Sequence, residues 1–104
     1  DVSMTIHVDA VDLIPEAVEL ARIGILPAGM YRNRAFAEHT VDAGEASRAL
    51  QDIFYDPQTA GGLLLAVEPA DADALERELL AALPYARRIG TAQAYAGGAH
   101  IRLV

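Results

Sequence analysis

Cysteine is absent from the 104 residues of this chain, and basic side chains are few. With no cysteine there is neither a disulfide framework nor a thiolate metal site. Eight Lys and Arg against fifteen Asp and Glu leave a formal charge of −7. That balance lacks the clustered cations of a nucleic-acid footprint and gives no attraction to an anionic membrane surface. Arg32/Arg34 and Arg87/Arg88 are the only basic clusters, too small for either role. Long apolar runs are missing as well, because charge interrupts each stretch before it could cross a bilayer. Asp1-Val2-Ser3-Met4 has no basic start of the signal-peptide kind. The expectation is a soluble, cytoplasmic protein with no nucleic-acid or membrane partner. If it meets an anionic nucleotide, it must do so locally, through backbone donors, a few arginines or a bridging metal.

What is present is a globular composition, 53% hydrophobic and 22% charged, enough for one domain with one core and little margin at this length. Residues 3–8 alternate apolar and polar, which predicts a half-buried strand. Ile14, Ala17, Val18, Ala21 and Ile25 recur near helical spacing. A helix is therefore expected over residues 13–23, with Pro15 in its first turn and Gly24 as its stop. Pro27 and Gly29 punctuate residues 26–34, which read as a loop. Short helices over 33–39 and 45–51 follow from weak periodicity. Residues 62–68 read as a central, fully buried strand. Residues 70–83 carry the clearest helical stripe, Ala72, Leu75, Leu79 and Leu83, with Asp71 as cap, Asp73/Arg77 as an i,i+4 pair and Pro84 as the stop. Residues 87–95 and 99–104 read as two strands joined in a hairpin around Gly97-Gly98. This order implies an α+β fold, helices packed on a small mixed or antiparallel sheet.

The most informative stretch is Asp56-Pro57-Gln58-Thr59-Ala60-Gly61-Gly62, followed at once by Leu63-Leu64-Leu65-Ala66-Val67. Paired glycines permit positive φ and close approach to the backbone. Exposed N–H groups in such a turn can cradle an anion, with the Thr59 hydroxyl as a further donor. A tight turn into a strand explains the same residues without a ligand. Asp56 before Pro57 suits a turn start as well as chemistry, and Gln58 suits a ligand amide or a loop brace. Arg32, Asn33 and Arg34 form the one cluster that looks like an anion clamp, since the planar guanidinium suits phosphate. The alternative is a solvated turn whose arginines pair with the protein's own carboxylates.

The wording of two blocks goes beyond these generalities. Residues 56–62 resemble the DPQTSGG signature of the selenophosphate synthetase family, with Ala60 in place of its usual Ser. Gly24-Ile25-Leu26-Pro27-Ala28-Gly29-Met30-Tyr31-Arg32-Asn33-Arg34 resembles that family's GI(V/L)PxGxxRNR segment, in the right order. The resemblance runs from about Val11 to the end of the chain, through Ile89-Gly90. It implies the C-terminal domain of the aminoimidazole-ribotide synthetase-like superfamily, partly ferredoxin-like, over residues 1–104. The family's reactive Cys or selenocysteine, partner Lys, metal-binding acids and TGFGLLGH-like segment have no counterpart here. The resemblance therefore implies a truncated C-terminal piece with no catalytic residue of its own, inactive alone, whose partner is its own N-terminal domain. The intact enzyme, a homodimer by resemblance, would make selenophosphate from ATP, selenide and water with Mg2+, releasing AMP and phosphate. The nucleotide- or phosphate-facing candidates are Thr59, Gly61, Gly62, Gln58, Asp56, Arg32 and Asn33; Ala60 contributes backbone only.

Two further readings compete: a domain of another ATP-dependent member of that superfamily, and a stand-alone ferredoxin-like module that binds a small effector. No other constellation carries chemistry. His7, His39 and His100 lack paired ligand spacing, so no metal site is expected; His7 and His100 fall in expected strands, partly buried. Asp9 and Asp12 sit where caps belong. Glu68, Asp71, Asp73, Glu76 and Glu78 read as a solvated helix rim, and Tyr31, Phe36, Phe54 and Tyr55 as core anchors.

Overall fold

The alternation of Ser3, Met4, Thr5 and Ile6 becomes β1 (Val2–Ile6), an inner strand of a four-stranded mixed sheet. The computed structural model describes residues 1–104. β3 (Gly90–Ala94) runs antiparallel to β1, with Ile6 opposite Gly90 and Val2 opposite Ala94. β4 (Ile101–Leu103) lies parallel along the other edge of β1, and the two-residue β2 (Val41–Asp42) adds parallel to β4. The strand order is β2-β4-β1-β3.

The expected hairpin between the last two strands is not formed, because β1 lies between them. With both neighbours in place, β1 pairs its backbone groups on two edges, which a β3–β4 hairpin would leave for water or nothing. The link between β3 and β4 turns at Gly97 and Gly98, whose φ values of 101° and 85° only glycine adopts readily. Tyr95 stacks on His100 across that turn, with ring centroids 4.3 Å apart. His100 is half-buried there, whereas His7 is exposed at the end of β1. Gly90 is fixed by a different demand: a Cβ there would lie 2.0 Å from the Thr5 carbonyl oxygen.

α1 (Pro15–Arg22) forms as the spacing requires, Pro15 supplying a first position that needs no donor. The loop expected over 26–34 is instead the start of α2 (Ala28–Ala37). Pro27 and Gly29 do punctuate the chain, but they mark a helix entrance: Pro27 is the N-cap in extended conformation, φ −69° and ψ 143°. The short helix expected over 33–39 is absorbed into α2 and the 3-10 turn Glu38–Thr40. α3 (Arg48–Phe54) begins later than its expected 45–51, where the Ser47 side chain accepts from the Leu50 N–H at 3.3 Å. α4 (Pro69–Ala82) is capped at Glu68 without a side-chain bond, so Asp71 is not the cap. Asp73 pairs with Arg88 at 2.7 Å rather than with Arg77.

The buried strand expected over 62–68 is overturned. No N–H from Thr59 to Val67 donates to a backbone carbonyl, and Leu63 is 91% exposed. A strand exists only by pairing, and both edges of the sheet, β2 and β3, lie elsewhere. The apolar run is real, but it has no neighbouring strand. Burial is concentrated at Ala21 of α1, Met30 of α2, Asp52 of α3 and Leu103 of β4, with Met30 fully enclosed. Phe54 and Tyr55 are half-buried as anchors, but Tyr31 and Phe36 are not core; Phe36 is 83% exposed. No helix is long and apolar enough to cross a membrane.

Candidate functional site

Pro57 cannot continue a helix, and the residue before it is steered from helical dihedrals. α3 accordingly closes at Phe54. The Tyr55 N–H donates to the Asp52 carbonyl at 3.2 Å and the Asp56 N–H to the Ile53 carbonyl at 3.0 Å. A last short turn, Gln58 N–H to Asp56 carbonyl at 2.9 Å, tightens the chain. Beyond it the N–H groups of Thr59 to Val67 donate to no backbone carbonyl.

Gly61 and Gly62 do not use the positive φ that their pairing allows. Gly61 serves close approach instead: a Cβ there would meet the Gln58 Oε1 at 2.6 Å, so the Gln58 side chain folds over the glycine as a brace. Gly62 faces open space. The loop borders an open depression of about 450 Å³, lined by Asp56, Pro57, Gln58, Thr59, Ala60 and Gly61 together with Ile14 and Pro27. Asp56, Gln58, Thr59 and Gly61 thus converge on one surface, and Gly62 follows immediately. No cation lines this depression. Gly62 lies outside that lining; an anion there would find the N–H groups of Thr59, Ala60 and Gly61, which donate to no backbone carbonyl, and the Thr59 hydroxyl, beside the Asp56 carboxylate.

Arg32 and Asn33 are not part of that lining. Asn33 Nδ2 donates to the Tyr55 carbonyl at 2.9 Å, one residue before the signature loop begins. Arg34 is bound to the Asp52 carboxylate, which is 5% exposed as a residue, and its guanidinium lies 5.3 Å from the Tyr31 ring centroid. Arg48 Nε approaches the same Asp52 oxygen at 3.3 Å. The self-paired alternative therefore holds for Arg34. Arg32 is exposed and makes no ion pair.

Burial, and after it the Glu38 charge, raises the Tyr55 phenol above its ordinary value, so it stays neutral beside the loop at physiological pH. At the far end, the hydrogen bond from Arg88 holds the Asp73 carboxyl below the usual carboxylate range. Arg88 also reaches Glu76 at 2.6 Å, tying the acidic rim of α4 to the segment before β3. No group of three or more His, Asp or Glu side chains converges to hold a metal ion.

Sequence reasoning missed the contact of Gly29 with Pro57. A Cβ on Gly29 would lie 2.7 Å from Pro57 Cγ. The available signal was that each motif block holds a proline and a glycine, but spacing along the chain could not show that they touch.

No protein-family model matches the chain. Curated relatives do. It is 42% identical over 80 residues to the selenide, water dikinase of Clostridioides difficile (strain 630), covering 76% of this chain and 23% of that protein. It is 50% identical over 68 residues to the selenide, water dikinase of Pelobacter propionicus, covering 64% of this chain and 20% of the relative. With the selenide, water dikinase of Clostridium botulinum (strain Eklund 17B / Type B) it shares 36% over 89 residues, 85% of this chain and 26% of the relative. The chain thus spans between a fifth and about a quarter of the length of these relatives.

Proposed function

We propose that this chain, a relative of the selenide, water dikinases, is the part of a selenophosphate synthetase that presents backbone donors to the phosphates of ATP. The intact enzyme would convert ATP, selenide and water to selenophosphate, AMP and phosphate, in the cytoplasm and as a homodimer. Selenophosphate is the activated selenium donor from which selenocysteine is built. The nucleophile and the Mg2+ ligands would be supplied by the N-terminal domain, to which this chain is the partner. On that division the segment alone would not turn over.

One observation carries this reading: the Asp56–Gly62 motif, so close to the family signature, is an open surface whose backbone N–H groups from Thr59 onward are unspent. Bound ATP with Mg2+ supplies the phosphoryl group and the charge neutralisation. The loop's share is to hold phosphate oxygens by N–H groups already free of internal partners. Phosphoryl transfer depends mainly on positioning and charge stabilisation, so a loop with no acid, base or nucleophile can still govern the rate. Ala60, where the family signature has Ser, leaves the Thr59 hydroxyl as the loop's one side-chain hydroxyl donor.

The test is phosphorus NMR of the intact enzyme carrying this segment, given Mg-ATP with and without selenide under reducing conditions. Selenide-dependent appearance of selenophosphate and AMP is expected. ATP turnover indifferent to selenide would reassign the chain to another reaction of the superfamily. A folded, metal-replete sample without turnover that still binds a small effector would support the regulatory-module reading instead.

A further inference from the structure

α2 and the signature loop are joined at successive points that run in opposite directions along the two segments. Arg34 is tied to Asp52 and Asn33 to the Tyr55 carbonyl, while Gly29 lies against Pro57. Moving toward the N-terminus of α2 therefore means moving forward along the chain from α3 into the loop. Gly29 and Asn33 are four residues apart, one turn of the same helical face. Met30 and Arg34 share that spacing on the adjacent stripe, which holds the one fully enclosed side chain and the buried ion pair. The helix is thus anchored on one stripe and touches the loop with the next. Past Pro57, Pro27 continues the contact as a wall of the depression.

We propose that Gly29 and Asn33 are positioning residues for the 56–62 loop. The Asn33 amide fixes the Tyr55 carbonyl, and the missing Cβ of Gly29 lets Pro57 seat against α2. Together they set where the N–H groups of Thr59 to Gly62 point. Within the RNR block, Asn33 therefore acts on a bound phosphate through the loop and not by touching it. This functional half rests on the reading proposed above. The geometry of the contacts also explains why a neutral amide stands at position 33 between two arginines: the acceptor it faces is a carbonyl, which needs a single directed donor.

Asn33→Asp is the discriminating substitution, since it keeps the shape, removes the donor and turns a carboxylate oxygen on the Tyr55 carbonyl. The experiment measures amide hydrogen exchange and nitrogen–proton shifts of residues 56–62, and the KM for ATP of the intact enzyme. Expected are shifted loop amides, exchange at Gln58 faster by about fivefold, the loss of one ordinary hydrogen bond, and a raised KM for ATP with a smaller change in kcat. Asn33→Gln, which keeps an amide donor, should recover part of both effects, and Gly29→Ala should shift the same amides by displacing Pro57. Arg102→Ala, which removes the distant Arg102–Asp42 pair, should move none of them. Loop amides unmoved in both Asn33→Asp and Gly29→Ala would overturn the proposal, and if KM nevertheless rose in Asn33→Asp, direct contact of residue 33 with phosphate would replace it. Displaced loop amides with an unchanged KM would overturn its functional half together with the phosphate-facing reading of the loop.

Discussion

Asp52 shows how a residue's burial decides its worth. Its carboxylate is buried in α3 and meets two cations, Arg34 and the far more exposed Arg48. Removing one member of a buried pair leaves an uncompensated charge, whereas an exposed partner is screened by water. Arg34→Ala should therefore cost about 3 kcal/mol in urea unfolding, and Arg48→Ala less than about 1 kcal/mol. Equal losses would show that Asp52 is solvated and the pair is superficial. Little of this was legible in the sequence. The RNR block announced an anion partner, but a guanidinium suits a carboxylate of its own chain as well as a phosphate. Only the approach of α3 shows which of the three residues is spent internally. Asn33 illustrates the same limit, because its acceptor is a backbone carbonyl that no side-chain pattern reports.

Among the elements, α4 is the least committed. None of its residues is buried, and its firmest ties are those of Asp73 and Glu76 to Arg88. Its amides should exchange faster than those of β1, which is paired on both edges. The Asp73 carboxyl is held below its usual range by Arg88, so this tie is present above the unfolded carboxylate value and is lost as pH falls through the lower folded one. Asp73 is exposed and water screens its pair, so protection in α4 should fall only slightly on acidification before that in β1, and Arg88→Ala should remove that small step. A pH-independent ratio between the two would contradict it. α4 was readable from its stripe of leucines because helical spacing is local information. The Leu63–Val67 run was misread for the opposite reason: its composition demands burial, but pairing is a property of a partner segment. α2 was misread because Pro27 and Gly29 break a helix interior yet suit its entrance. The inserted β1 was equally invisible, since strand order is set by long-range pairing.

At the scale of the whole molecule, a thin core and an unpaired apolar run stand beside a well-defined meeting of two sequence blocks. The α+β architecture was legible from the order of the elements, though not whether its sheet is mixed or antiparallel, and the loop's importance from its residues. That loop and α2 touch was not, and it is this contact that turns a motif into a surface with a direction. The central claim is that the N–H groups after Gln58 receive nucleotide phosphate. It is tested most directly by hydrogen exchange of the intact enzyme with and without a non-hydrolysable ATP analogue and Mg2+, followed through peptides covering residues 56–68. The account predicts protection of residues 59–62 on nucleotide binding, diminished in Gly29→Ala. Saturating nucleotide that protects other segments while leaving 59–62 as open as before would contradict it.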